Sequence, residues 1–274
     1  MPDVSDFDLL KTPNQSRLPE RSVGVWIAVA LLVVAIGAAG YFAYSRWRTP
    51  PVAVPVTQPV AKSADRPLPA PEAIDLPPLN ASDAVVRELV KKVSSHPSVV
   101  AWLTTDDLIR HFTIGVADVA EGKTATKQLL ILRPSTSFRV IERGNDLVID
   151  PRSYARYDTL AAAAASMNAD GSARLYATLK PRIEEAAKEL GDSSFDRTLE
   201  RAIVQLLQTP SVEDPIRVVP RGVGYGFADP KLEDLTAAQK HLIRTGPRNA
   251  LVIQTSLRAI ALALGIPPER LPNH

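Results

Sequence analysis

Apolar positions run without interruption through one stretch near the start of the chain. No charged residue occurs between Arg21 and Arg46. A helix that crosses a bilayer needs about 20 apolar residues, so Val23–Ser45 predicts a single transmembrane helix in contact with the lipid bilayer. Aromatic side chains, which favour the membrane interface, lie near its two ends at Trp26, Tyr41, Tyr44 and Trp47. A cleaved signal peptide is the alternative, but its apolar core is shorter, at roughly 7–15 residues.

The next stretch is rich in Pro, Ala and Val, and residues 49–79 hold no glycine. Proline interrupts helices and central strands and favours extended geometry in the residue before it. Residues 46–79 are therefore predicted to form a semi-stiff, Pro-rich linker with partial polyproline II character. Its role is either that of a spacer between membrane and domain, that of a plain solvated connection, or that of a Pro-rich ligand for a partner's groove.

From residue 80 onward, apolar residues recur at helical spacing. The first of these segments places Val85, Val86, Leu89, Val90 and Val93 on one face, after a Ser82 or Asp83 cap. Residues 80–274 are therefore predicted to form one compact, mainly helical C-terminal domain. Its clearest helical segments are 82–95, 96–102, 104–123, 172–191, 195–208 and 249–265. The segment 104–123 is expected to begin at a local Thr or Asp cap.

Two stretches depart from the helical period. In 137–151, two apolar runs flank "RGND", which indicates a β hairpin with Gly144 and Asn145 at its turn. In 214–227, glycines alternate with Val223, Tyr225 and Phe227, which predicts another extended piece. The predicted fold class is thus mainly α with a small β hairpin or sheet (α+β).

Composition limits the chemistry. The net charge of +2 is too small to indicate a nucleic-acid partner. Because the chain has no cysteine, disulfides, cysteine-based zinc sites and thiol nucleophiles are excluded.

Charge around the apolar stretch predicts its orientation. The N-terminal flank carries Lys11, Arg17 and Arg21, against Arg46 and Arg48 on the other side. Basic residues favour the cytoplasmic side, so residues 1–22 are predicted to be a short cytoplasmic tail and the C-terminal domain to lie in the periplasm. A strip of small residues within the helix, at Ala35, Ala39 and Ala43, would also permit a homodimer through the transmembrane helix.

No recognised catalytic, nucleotide or metal motif is present, and no catalytic residue, cofactor or metal is predicted. His111 follows Asp107 by one helical turn, so the pair could share a metal or a proton, or simply form an exposed polar pair. "GVGYG" (222–226) lacks the strand–glycine–helix setting of a phosphate loop and fits a strand better.

"PRSYARYD" (151–158) is the best candidate for a binding surface. Asp150 can cap a helix that Pro151 opens, which would stack Arg152 and Arg156 one turn apart. Arg152, Tyr154, Arg156 and Tyr157 offer guanidinium forks and aromatic faces, which suit carboxylates, phosphates or sugars. The alternative is that the tyrosines pack in the core while the arginines cover apolar surface.

A second polar cluster ends the stretch 226–250. Thr236 and Gln239 have the spacing of a capping box, and Gly246 followed by Pro247 separates two helices. These features explain the cap and turn residues within the stretch. They leave Arg244, Arg248 and Asn249 crowded at one helix corner without an evident structural need, so these three are also candidate binding residues.

Several motifs in order carry a resemblance to a known family. "HPSVVAWLTTDDLIRHFTIGVADVAEGK", "YARYD" and "FADPKLEDLTAAQKHLIRTGPRNA" resemble a bacterial membrane-anchored family known as domain of unknown function 3014. The resemblance covers roughly residues 76–261. It implies an N-terminal anchor, a variable Pro-rich linker and this C-terminal domain in a bacterial inner membrane, and it implies no active-site residues.

Three hypotheses of function remain. The leading one is a non-enzymatic envelope protein, single-pass in the inner membrane, whose tethered domain binds another envelope protein or cell-wall material. The second is a membrane-bound hydrolase that acts on an envelope substrate through an Asp/Glu site formed only in the fold. The third is a cytoplasmic-facing adaptor.

Overall fold

A computed structural model of the chain describes residues 36–37 and 68–272. The helices are α1 (Asp83–Val93), α2 (Pro97–Trp102), α3 (Leu108–Ala120), α4 (Pro151–Ala155), α5 (Asp158–Ala165), α6 (Ala169–Glu189), α7 (Phe195–Leu207), α8 (Pro230–Glu233), α9 (Ala237–Arg244) and α10 (Pro247–Ala263). Short 3₁₀ segments cover Leu79–Ala81, Thr126–Leu132 and Pro268–Arg270. The predicted α+β class, mainly helical with a small antiparallel sheet, is confirmed.

The strands are β1 (Ile36–Gly37), β2 (Val140–Arg143), β3 (Asp146–Ile149), β4 (Met167–Asn168), β5 (Arg217–Arg221) and β6 (Gly224–Phe227). Four of them form an antiparallel sheet in the order β2-β3-β5-β6. The hairpin predicted around "RGND" is β2–β3, with Gly144 at φ 64° in its turn. The second extended piece is itself a hairpin, because Gly222 turns the chain and leaves Val223 96% exposed.

The main core lies between the amphipathic helices. The apolar faces of α1, α3, α6, α7 and α10 meet there, with Trp102 and Phe195 among the largest fully buried side chains. The rings of Phe112 and Phe195 make an edge contact at 5.5 Å between centroids. An edge-on pair of aromatic rings stabilises the core by more than the burial of its apolar surface alone.

A smaller core joins the sheet to the helices. Ile149, Val218 and Phe227 of the strands pack against Tyr154 of α4 and Ile243 of α9. The sheet therefore fixes α4 and α9 relative to each other. These two helices carry three of the candidate binding residues, Arg152, Tyr154 and Arg244, and the other four lie just after them.

The C-terminal part of the Pro-rich stretch packs on the helical domain. Leu79 is buried, and the Arg182 side chain of α6 donates hydrogen bonds to the Pro77 and Leu76 carbonyls at 2.8 and 2.9 Å. The Glu72 amide donates to the Thr178 hydroxyl at 2.9 Å. Composition assigns these residues to the linker, yet in the structure residues 68–79 lie along the domain, since proline carbonyls remain free to accept side-chain hydrogen bonds.

The predicted tail, transmembrane helix and first part of the linker lie almost entirely outside the described residues. Ile36–Gly37 pairs in parallel with Met167–Asn168. Within 36–37 and 68–272, no helix combines the length and apolarity needed to cross a bilayer. At Ile36–Gly37 the structure therefore has a strand where the sequence predicts a helix. The rest of Val23–Ser45 lies outside the described residues, and its transmembrane assignment stays a prediction.

The start of α3 is capped from a distant part of the chain. The sequence suggests a local Thr or Asp cap, but Asp107 adopts φ 54° and makes no side-chain cap bond. The Asp83 carboxylate instead accepts from the Asp107 and Leu108 amides at 2.8 and 3.0 Å. Asp83 thus ties α1 to α3 and satisfies amides that the helix leaves free.

Removing the cap that Asp83 provides is expected to destabilise the domain measurably. Asp83→Ala removes the acceptor of two backbone amides, so the free energy of unfolding is expected to fall by about 1–2 kcal/mol. Urea unfolding followed by circular dichroism measures it. Asp106→Ala is the matched control, because the Asp106 side chain is 95% exposed. Equal losses in the two variants would contradict this role for Asp83.

Candidate functional site

The structure brings the two predicted clusters together. Gly246, which precedes α10, lies against the Tyr154 ring of α4. The Asn249 side-chain amide donates to the Tyr154 carbonyl at 3.1 Å and to Asp158 Oδ1 at 2.9 Å. Residues about 90 positions apart in sequence therefore form one continuous region.

Several of the predicted binding residues in this region are buried and pack in the interior. Tyr154 is buried, and its hydroxyl donates to Asp214 Oδ1 at 2.8 Å. Tyr157 is also buried, and burial raises its pKa to about 12. Its ring meets the His241 ring edge-on at 6.4 Å. Both tyrosines, like the buried Asn249, therefore contribute to the interior rather than to an open face.

The four candidate arginines differ in burial and in hydrogen-bond partners. Arg244 is half-buried and donates to the Tyr225 carbonyl at 2.8 Å, with its guanidinium 5.1 Å from the Phe227 ring centroid. Burial lowers the pKa of Arg244. Arg152 and Arg248 are exposed. Arg244 thus has a structural task that the sequence did not reveal, while the other two project from the surface.

Arg156 is the exception. The sequence suggests that it stacks with Arg152, but α4 ends at Ala155, and the two side chains differ in exposure. All three guanidinium nitrogens of Arg156 are buried, and none has a hydrogen-bond partner within the structure. The group lies 5.5 Å from the Tyr157 ring centroid. An arginine stays protonated inside proteins, so a buried positive charge is left without an acceptor among the residues that the structure describes.

Arg156 lines an open pocket of about 420 Å³. Three parts of the chain form its walls: α2, residues 131–136 at and after the end of the 3₁₀ segment Thr126–Leu132, and the α4–α5 junction with the first turn of α5. The lining residues are Pro97, Ser98, Ala101, Ile131, Leu132, Arg133, Pro134, Ser135, Thr136, Arg156, Thr159 and Leu160.

The lining has one sign of charge. It contains two arginines and four hydroxyl side chains, and no acidic residue is among the described residues that form it. A positively charged concavity of this kind attracts anions. Arg133 is not among the binding residues predicted from the sequence. The stretch "RPSTS" (133–137), which lies outside any predicted helix, nevertheless has an arginine followed closely by three hydroxyl residues.

Other candidate chemistry is weaker. Asp107 Oδ1 pairs with Arg110 at 2.9 Å, while the Nδ1 atom of His111 is buried. Across 68–272, no group of three or more His, Asp or Glu residues is placed to hold a metal ion. Gly224 and Gly226 lie in strand β6, which agrees with the strand interpretation of "GVGYG".

Comparison with known protein families identifies the family of this chain. A family model described as "Protein of unknown function (DUF3014)" matches residues 108–261. The chain belongs to this family. Both pocket arginines lie inside the DUF3014 match, whereas the α2 wall precedes it. No curated protein and no solved structure matches the chain.

Proposed function

We propose that this DUF3014 protein is a non-enzymatic binding protein of the bacterial cell envelope. Val23–Ser45 anchors it in the inner membrane as a single-pass helix, and the helical domain lies in the periplasm. The domain captures an envelope protein or cell-wall component through the pocket that contains Arg156. The tail, anchor and topology are supported by the sequence alone.

One observation carries the binding role: the unpartnered guanidinium of Arg156 at a pocket with no carboxylate among its described lining residues. The hydrolase hypothesis needs two carboxyl groups with separated pKa values in one cleft. Burial raises the pKa of Asp118, but Asp118 does not line this pocket. The arrangement therefore favours ligand capture over acid–base catalysis.

The linker sets the working distance of the domain. Residues 68–79 pack on the domain, so residues 46–67 remain as the spacer. At about 3.1 Å per residue this segment reaches up to ~70 Å when fully extended, and ~25 Å as a flexible coil. A spacer of this length supports the proposal that the pocket reaches envelope components that do not touch the bilayer.

In-cell photo-cross-linking tests the proposal. A photo-reactive amino acid replaces Ser135, an exposed pocket residue, or Lys188, an exposed residue of α6. In intact cells, we expect a discrete adduct from position 135, its loss when Arg156→Met is added, and no adduct from position 188. Mass spectrometry identifies the captured molecule.

A topology reporter fused after His274 completes the test. We expect it to be active only when exported. A reporter active only in the cytoplasm would favour the adaptor hypothesis instead. Turnover of an envelope substrate by the purified full chain would contradict the non-enzymatic assignment.

A further inference from the structure

Arg156 differs from the other half-buried arginines of the domain. Arg87 donates to the Leu103 and Thr105 carbonyls at 2.7 and 2.9 Å, and Arg182 donates to two linker carbonyls. Arg244 donates to the Tyr225 carbonyl. Arg110, also half-buried, donates to the Glu189, Asp107 and Asn80 side chains. The described residues thus supply acceptors to each of these arginines and none to Arg156.

A buried charge without an acceptor is strongly unfavourable. The nearby Tyr157 ring compensates only in part, since a cation–π contact contributes modestly. A ligand that supplies acceptor oxygens, reached by a turn of the Arg156 side chain towards the pocket that it lines, would remove the penalty. We infer that the pocket binds an organic phosphate, with Arg156 and Arg133 holding the phosphate group. This inference rests on the proposed binding function and specifies its ligand chemistry.

The donor set fits phosphate better than carboxylate. A carboxylate presents two oxygens in one plane, and one guanidinium fork satisfies it. A phosphate monoester carries a charge of about −1.5 to −2 at pH 7 and presents three acceptor oxygens. Arg133 and Arg156 supply two positive charges, and Ser98, Ser135, Thr136 and Thr159 supply hydroxyls around them.

The size and apolar walls of the pocket indicate that the phosphate carries an organic group. A bare phosphate displaces on the order of two or three waters at ~30 Å³ each, far less than the pocket volume of about 420 Å³. Ala101, Leu132 and Leu160 line the remaining space together with Ile131, which is 52% exposed. A carbon skeleton attached to the phosphate would cover this surface.

Calorimetric titration tests the inference on the full chain in a phosphate-free maltoside detergent. The probes are sn-glycerol 3-phosphate, inorganic phosphate and acetate. We expect glycerol 3-phosphate to bind with one site per chain and at least tenfold more tightly than acetate. Arg156→Met is expected to weaken this binding at least tenfold, because it removes charge-assisted hydrogen bonds.

Two further variants keep the test decisive. Arg133→Met changes an exposed side chain, so it reports on the site even if Arg156→Met fails to fold, and a several-fold loss is expected. Arg197→Met removes an exposed arginine of α7, away from the pocket lining, and is expected to leave binding unchanged. Equal losses in all three arginine variants would mean nonspecific attraction to basic surface and would overturn the inference.

The source of the phosphate is resolved by a short-chain lipid. Binding of dihexanoyl phosphatidate at least tenfold more tightly than glycerol 3-phosphate indicates a lipid headgroup, and equal binding indicates a soluble ester. If no phosphate compound binds more tightly than acetate, the phosphate assignment is wrong. The pocket-dependent adduct from position 135 in cells would then still support the binding function, so the two failures are distinguishable.

Discussion

Gly246→Ala is expected to lower the free energy of unfolding by about 3 kcal/mol or more. Gly246 adopts φ +91°, and a Cβ atom there would lie 2.5 Å from Tyr154 Cγ. Relief would need the Tyr154 ring to move, but Tyr154 is buried and its hydroxyl is held by Asp214. Backbone strain and steric overlap therefore add. Urea unfolding of the full chain measures the loss.

A second glycine separates these two contributions. Gly191 follows α6 at φ +77°, but nothing lies within 4 Å of the position that its Cβ would occupy. Gly191→Ala is expected to lose only about 1 kcal/mol, from backbone strain alone. A loss for Gly246→Ala no greater than that for Gly191→Ala would show that the α4–α10 contact is not tightly packed.

Asn249→Asp is expected to lower the free energy of unfolding by about 3 kcal/mol at pH 7. The Asn249 Nδ2 atom donates towards Asp158 Oδ1 at 2.9 Å, the Thr245 carbonyl at 3.0 Å and the Tyr154 carbonyl at 3.1 Å. An aspartate at this position would place a carboxylate oxygen among three acceptors. The positive end of α10 offsets only part of this repulsion.

The loss should depend on pH in a defined direction. Repulsion and burial raise the pKa of the introduced carboxyl in the folded state. The protonated form, which can donate one hydrogen bond, predominates below the unfolded-state pKa of about 3.9. Stability relative to wild type is therefore retained at acidic pH and lost as the pH rises through the folded-state pKa. A loss of equal size at pH 4 and pH 7 would contradict this account, and Asn145→Asp, in the exposed hairpin turn, serves as control.

Local signals in the sequence identified two helix starts correctly, although the caps expected at the starts of α1 and α3 make no side-chain cap hydrogen bond. Asp150 accepts from the Arg152 amide ahead of Pro151, and Thr236 and Gln239 form the predicted capping box. Such motifs involve residues two or three positions apart, so a single sequence shows them. The cap that Asp83 provides to α3 spans 24 positions, and no local pattern predicts it.

In the candidate site, too, the sequence indicated local features but not contacts between distant residues. The sequence identified Arg156 as a residue suited to anions, but it could not distinguish Arg156 from Arg244, whose carbonyl partner lies on strand β6. It also grouped Arg156 with Arg152 on an assumed helical face, although α4 ends before Arg156. Arg133 enters the pocket because the segment after residue 132 lies beside the α4–α5 junction, a contact between distant parts of the chain.

The central claim is that Arg156 serves a ligand rather than the fold, and unfolding free energies with and without ligand test it most directly. Wild type and Arg156→Met are unfolded in urea, each with and without saturating sn-glycerol 3-phosphate. We predict that Arg156→Met without ligand is at least as stable as wild type, since it removes an unpartnered buried charge. Ligand should stabilise wild type by more than it stabilises Arg156→Met, since binding to the folded state is expected to be at least tenfold weaker in the variant. A ligand-free Arg156→Met less stable than wild type by about 1 kcal/mol or more, with no ligand effect on either protein, would show that Arg156 is a structural residue and would contradict the account.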